Sequence, residues 1–294
     1  MAYRTLIDSS TLAKNLDSSD WRIFDVRHDL ARPELGREQY AEGHLPGARF
    51  VPLDAELSGM KTGANGRHPL PDADDFMATL GEWGIRPGQQ IVAYDASGGT
   101  YAARLWWMLR WMGHYSVAVL DGGFPKWEKE GRPVTAEVPH FSPTVYRGAP
   151  RTMHVDAAFV ESNLGKPEVT VIDARAAGRF AGEGETIDPV GGHIPGALNR
   201  PFGENLGRDG SFKPPERLAK DGSFKSPQKL AGEFAALLGN RAPTQIVHQC
   251  GSGVSACHNI LAMEVAGLAG SRLYPGSWSE WCSDPDRPVA TGSE

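Results

Sequence analysis

The chain has 294 residues, 40% of them hydrophobic, which supports two packed domains and argues against disorder. A formal net charge of −6 excludes a surface built to grip nucleic acid. The cysteines Cys250, Cys257 and Cys282 give neither a disulfide framework nor zinc-ligand spacing, and suit a reducing cytosol.

The N-terminus, Met1-Ala2-Tyr3-Arg4-Thr5-Leu6-Ile7, shows no apolar signal core and no Arg-rich transit character, so a cytoplasmic location is expected. Apolar runs predict strands at 23–26, 91–94 and 116–120, with helices at 72–80 and 101–112 between them. The run from Leu105 to Leu109 is too short to span a membrane and is flanked by Arg104 and Arg110; it reads as core packing. Residues 135–151, rich in Pro and polar side chains, read as a linker. Beyond it come strands at 169–173, 245–248 and 272–274 and helices at 228–238 and 255–266. Such alternation predicts an α/β fold, a mainly parallel sheet flanked by helices, with ligands at the carboxyl ends of the strands.

The two halves answer each other in order. Ile23-Phe24-Asp25-Val26-Arg27 matches Val171-Ile172-Asp173-Ala174-Arg175, and Gly43-His44-Leu45-Pro46-Gly47-Ala48 matches Gly192-His193-Ile194-Pro195-Gly196-Ala197. Asp121-Gly122-Gly123 pairs with Pro275-Gly276-Ser277, and Arg132-Pro133-Val134 with Arg287-Pro288-Val289. Two tandem copies of one domain are expected, at 1–140 and 150–294. Position 95 answers position 250 and holds Asp95, which lacks a thiol, so the first copy is expected to be non-catalytic. A smaller repeat begins at Asp209 and again at Asp221, a period of 12 residues (221 − 209), and reads as a tandem duplication in a surface connection.

The stretch around Cys250 carries the chemistry. Ile246 and Val247 end a buried strand, Gly251 and Gly253 permit a tight loop, and Ser255 is the expected N-cap of the next helix. Loop amides and a helix N-terminus favour an anion, so the Cys250 thiol is expected to be more acidic and more reactive than a free cysteine. The other reading of a lone cysteine is a small buried hydrophobe.

The segment Cys250-Gly251-Ser252-Gly253-Val254-Ser255 resembles the active-site loop of the mercaptopyruvate sulfurtransferases, members of the rhodanese superfamily, with Ser255 where that family usually has Thr. Both His-x-Pro-Gly-Ala segments and Gly276-Ser277-Trp278-Ser279-Glu280-Trp281 carry the same resemblance along nearly the whole chain. It implies two rhodanese domains, a site in the groove between them, and sulfur transfer through a persulfide on Cys250 to a thiol or cyanide. The acceptor would be a thioredoxin-like protein or a low-molecular-weight thiol, and neither cofactor nor metal is required. By the same resemblance Ser252 bonds the sulfur or relays a proton, with Asp54 and His68 behind it. Arg179 grips the donor carboxylate, and Gly251, Gly253, Val254 and Ser255 line the donor seat. The family often has a second arginine, but 181–191 contains none, which leaves Arg200 as the candidate replacement.

Three alternatives are weighed against this reading. A cysteine phosphatase of this fold needs an arginine at position 256, which here is Ala256. A binding module without chemistry fits Asp95 but not Cys250. A thiosulfate sulfurtransferase typically has basic side chains in the loop after the cysteine, and residues 251–255 carry no charge, which favours mercaptopyruvate as donor.

Overall fold

The computed structural model describes residues 2–207 and 222–293. The chain forms two compact units. One comprises Met1–Ser58, Pro71–Thr152 and Leu206–Phe224, the other Gly59–Leu70, Met153–Asn205 and Lys225–Glu294. Each unit draws on both halves of the sequence, since 59–70 packs with the second half and the described residues 206–207 and 222–224 with the first.

The first unit holds β1 (Leu6–Ile7), β2 (Trp21–Asp25), β3 (Ala48–Phe50), β4 (Gln90–Tyr94) and β5 (Val117–Leu120), all parallel, in the order β1-β5-β4-β2-β3. Its helices are α1 (Ser9–Ala13), α2 (Leu35–Glu42), α3 (Leu53–Glu56), α4 (Ala73–Glu82), α5 (Ala102–Trp111) and α6 (Gly123–Lys129). Every residue of β4 and β5 is buried, as expected of strands covered on both faces. Asp72 caps α4 by accepting from the Asp74 amide at 2.8 Å. Trp106 and Trp107 of α5 are fully buried, in keeping with the core reading of that helix.

The second unit repeats the plan with β6 (Thr170–Asp173), β7 (Leu198–Asn199), β8 (Ile246–Gln249) and β9 (Arg272–Leu273), in the order β7-β6-β8-β9. Its helices are α7 (Ala157–Ser162), α8 (Ala177–Ala181), α9 (Pro227–Leu238), α10 (Ser255–Val265) and α11 (Ser277–Trp281). Ser226 caps α9 and Pro227 opens it, where a missing N–H costs nothing. That cap belongs to the second copy of the 12-residue duplication; the first copy, 209–220, lies outside the described residues.

The repeated motifs have one physical explanation. At the end of β2 the Asp25 carboxylate takes Nε and Nη2 of Arg27, and Arg27 Nη2 also donates to Gly43 O at 2.7 Å. At the end of β6 Asp173 holds Arg175 in the same fork, and Arg175 Nη2 reaches Gly192 O at 2.6 Å. Both ion pairs are buried, so each needs the carbonyl to complete it. The next residue, His44 or His193, exchanges two backbone hydrogen bonds with Thr135 or Ala290, which directly follow the Arg-Pro-Val segments. Gly47 and Gly196 stand at φ +73° and +78°, where a side chain is strained. The motifs recur because each unit fastens the carboxyl end of the same strand with the same polar clasp. Among the described residues no helix is long and apolar enough to cross a membrane.

Candidate active site

Strand β8 runs to Gln249, and Cys250 is the next residue, at the carboxyl end of the parallel sheet. Cys250 is 2% exposed. Its backbone is held on both sides: its N–H donates to Ser277 Oγ at 3.1 Å and its carbonyl accepts from Trp278 N at 3.0 Å. Ser279 N then donates to Gly251 O at 2.9 Å. Ser277 takes φ +54°, the one positive φ outside glycine among the described residues, and so presents its hydroxyl to the Cys250 amide. Gly253 turns the loop at φ +77°, where a Cβ would lie 2.2 Å from Pro275 O.

That turn brings the chain into the helical region early. Val254 occupies the N-cap position, with no capping hydrogen bond from its side chain, and Ser255 is already the first residue of α10. Ser255 is therefore not the cap expected from sequence. The first unit shows what such a loop does with its amides. There Asp95 is fully buried, and its carboxylate accepts from the amides of Ser97, Gly99, Tyr101 and Ala102 at 2.7–2.9 Å. Burial pushes the Asp95 carboxyl up, against the pull of those amides.

Three side chains meet the Cys250 loop. Ser252 Oγ lies 2.8 Å from His68 Nδ1, and both groups are buried. The guanidinia of Arg67 and Arg179 lie over Gly251: a methyl built there would stand 2.8 Å from Arg67 Nη2 and 3.6 Å from Arg179 Nη1. Asp188 bridges the two arginines, its Oδ1 bonded to Arg67 Nη1 and its Oδ2 to Arg179 Nη2 at 2.9 Å. Glu185 Oε2 takes Arg179 Nε at 2.8 Å, while its Oε1 accepts from the amides of Thr186, Ile187 and Asp188. The loop after α8 is thus wound around one carboxylate and presents a second. Burial raises the Asp188 carboxyl despite both arginines; for Glu185 burial is outweighed by Arg179 and the loop amides, which hold it below the ordinary range.

His68 and Arg67 come from the first half of the sequence, but their segment packs within the second unit. Arg67 N donates to Ser279 Oγ at 3.1 Å, and Gly66, at φ +84°, approaches Gly276 so closely that a Cβ would lie 2.7 Å from its carbonyl oxygen. Asp54 lies exposed in α3 of the first unit. Arg200 is not the second guanidinium at this loop, because its nitrogens hold Glu233 and Asn205 and its plane lies over Phe234. Nor is the loop surrounded by neutral groups, as residues 251–255 alone suggest, since charge reaches it from 67 and 179. Arg67, Glu185 and Asp188 are the site residues missed in the sequence. The signal for Arg67 was its place beside His68.

Cys257 is fully buried in α10, its Sγ against Gly253 O at 3.4 Å. Cys282 is also buried, and burial pushes its thiol up. His258 is buried against Asn205, a structural setting.

A sequence model described as the Rhodanese-like domain matches the chain twice, over residues 8–130 and 156–284. The chain belongs to the rhodanese family. Among curated relatives of this two-domain rhodanese, "Probable 3-mercaptopyruvate sulfurtransferase" of Pseudomonas aeruginosa is 43% identical over 99% of the chain and 100% of its own length. "Putative thiosulfate sulfurtransferase SseB" of Mycobacterium tuberculosis is 38% identical over 99% and 98%. Among solved structures, 3-mercaptopyruvate sulfurtransferase from Leishmania major superposes with a TM-score of 0.82 at 29% identity, covering 97% of this rhodanese and 75% of that chain.

Proposed function

We propose that this rhodanese moves a sulfane sulfur from 3-mercaptopyruvate to a thiol or cyanide through a persulfide on Cys250. The chain is a sulfurtransferase, as its relatives are named. One observation carries the mechanism: the two residues after Cys250 each meet a group matched to this donor. Gly251 faces two guanidinia suited to a carboxylate, and Ser252 a histidine suited to moving a proton.

In the first half-reaction the Cys250 thiolate attacks the donor sulfur. The S–S bond forms, the C–S bond breaks, and its electron pair passes to pyruvate enolate. The enolate takes a proton delivered by the Ser252–His68 pair and leaves as pyruvate. In the second half-reaction an acceptor thiolate attacks the outer sulfur, and Cys250 returns as thiolate. Amides of Gly251, Gly253, Val254 and Ser255 favour the anionic sulfur as the Asp95 loop favours its carboxylate. The first unit, with Asp95 at the cysteine position, is non-catalytic. The acceptor is a low-molecular-weight thiol or a thioredoxin-like protein.

Charge balance favours mercaptopyruvate over thiosulfate. Arg67, Arg175 and Arg179 face Asp173, Glu185 and Asp188, three cations against three anions, so the cluster offers no excess charge to a dianion.

The test is pyruvate release from mercaptopyruvate together with intact-mass measurement of the protein before acceptor is added. Wild type gains the mass of one sulfur atom. Cys250→Ser loses both turnover and added mass, while Cys257→Ser and Cys282→Ser keep most activity. Full turnover by Cys250→Ser would sink the mechanism. A higher kcat/KM for thiosulfate than for mercaptopyruvate would make thiosulfate the donor.

A further inference from the structure

The nitrogens of Arg67 and Arg179 divide into two sets. In the first, Arg67 Nη1 and both Nε and Nη2 of Arg179 are held by Asp188 and Glu185. Arg67 Nη2 and Arg179 Nη1 have no hydrogen-bond partner among the described residues; Arg67 Nη2 crowds Gly251, and Arg179 meets it at contact distance through Nη1 and Nη2 alike. Depth separates the sets as well. The side chains of Asp188 and Glu185 are 2% and 5% exposed, those of Arg67 and Arg179 30% and 23%. The carboxylates therefore sit behind the guanidinia, and uncommitted donors point to where the chemistry begins.

A guanidinium on a flexible side chain loses rotamer freedom when it is aimed, and a buried acceptor that fixes one edge reduces what the ligand must later order. Asp188 fixes both arginines with one carboxylate, an oxygen for each. Arg67 is fixed a second time through its backbone, at Ser279 and beside the Gly66 contact with Gly276.

We propose that Arg67 is the second arm of a carboxylate clamp with Arg179, and that Asp188 is the positioning residue that aims both arms at the donor. The proposal rests on the mercaptopyruvate reading above. Arg67 stands beside His68, so one segment serves Gly251 with a cation and Ser252 with an imidazole, placing donor carboxylate and leaving enolate one residue apart along the loop. Because the clamp's own carboxylates balance its arginines, its ligand is a monocarboxylate such as an α-keto acid.

The experiment has two arms. Steady-state kinetics with mercaptopyruvate compare wild type, Arg67→Met, Arg67→Lys, Asp188→Asn and the Arg67→Met/Asp188→Asn double variant. Arg67→Met should raise KM by about 10–100-fold with kcat changed far less, the loss of one charge-assisted hydrogen-bonding arm. Arg67→Lys should recover part of that loss. Asp188→Asn should raise KM by roughly 5–10-fold in wild type and by clearly less in the Arg67→Met background, because it acts through that arginine. An unchanged KM in Arg67→Met overturns the clamp. A lowered KM in Asp188→Asn, or full additivity in the double variant, overturns the positioning role.

The second arm is calorimetric titration with pyruvate, which reads the seat without turnover. Arg67→Met should bind pyruvate more weakly than wild type by a similar factor, and equal binding overturns the clamp. Wild type that binds pyruvate through Arg67 but releases none from mercaptopyruvate would leave the clamp standing and sink the sulfur-transfer reading.

Discussion

At the scale of single residues, the site depends on a few side chains held in settings their types do not favour. Ser277 accepts a left-handed backbone, costly for any residue with a Cβ, and its hydroxyl fixes the Cys250 amide. His68 is buried with its Nδ1 on Ser252 Oγ, an arrangement a surface loop residue has no reason to adopt. Under the proposed mechanism His68→Ala should lower kcat by about 10²–10⁴-fold, the range of one proton-transfer group, with a smaller change in KM. A kcat within twofold of wild type would reduce His68 to a packing residue. Cys250 was legible in the sequence because strand, glycines and helix lie within one short stretch, whereas Ser252 was named only by the family resemblance.

At the scale of elements, the strand–loop–helix turn occurs twice with opposite contents. In the second unit it ends on a thiol; in the first it closes on Asp95, whose carboxylate gathers four amides at the turn into α5. The side chain fills a cradle made by its own loop, which explains how a copy without a nucleophile keeps the same turn. Asp95→Ala should leave those buried amides without their acceptor and destabilise the first unit by about 3 kcal/mol or more. Asp95→Asn, which keeps one carbonyl oxygen, should cost less. Urea denaturation measures both, and equal stability of Asp95→Ala and wild type would refute the cradle. The connection at 59–70 is the other informative element. It has no helix or strand, yet it supplies Arg67 and His68 and is pinned by Gly66 against Gly276.

At the scale of the whole molecule, three histidines are kept from their protons by burial. The pKa of His248 is pushed down to about 3 by burial, with Arg200 adding to the effect, and burial also lowers His114 and His154. In the unfolded chain each titrates near 6.5. Their contribution to stability is therefore complete above that pH and is lost as the pH falls toward the folded value, because the unfolded chain takes up protons the folded one refuses. His248 alone should remove about 2 kcal/mol between pH 6.5 and 5. His248→Leu, which also removes an Nδ1 without a hydrogen-bond partner, should flatten that decline in urea unfolding of the second unit. A slope equal to wild type would exclude His248 as its source.

The sequence by itself determined the α/β class, the tandem repeat and the reactive loop, since apolar runs and turn glycines act over a few neighbouring positions. Its strands and helices at 91–94, 101–112, 228–238 and 255–266 lie within a residue or two of the observed ones. The two-residue strands β1 and β7 carry too few positions to show a period and were not legible, although β9, equally short, falls within the expected 272–274. The full Asp-x-Arg and Gly-His clasps were visible as repeats, but their partners, Gly43 O with Gly192 O and Thr135 with Ala290, were not. Tertiary structure alone decided that Arg67 joins Arg179 and that Asp188 stands behind both. Arg67 and Asp188 are 121 positions apart, and His68 and Ser252 are 184 apart. No local pattern encodes such pairs. They are selected by burial, which makes an unpaired charge or hydroxyl costly and so fixes partners only once the chain has folded around them.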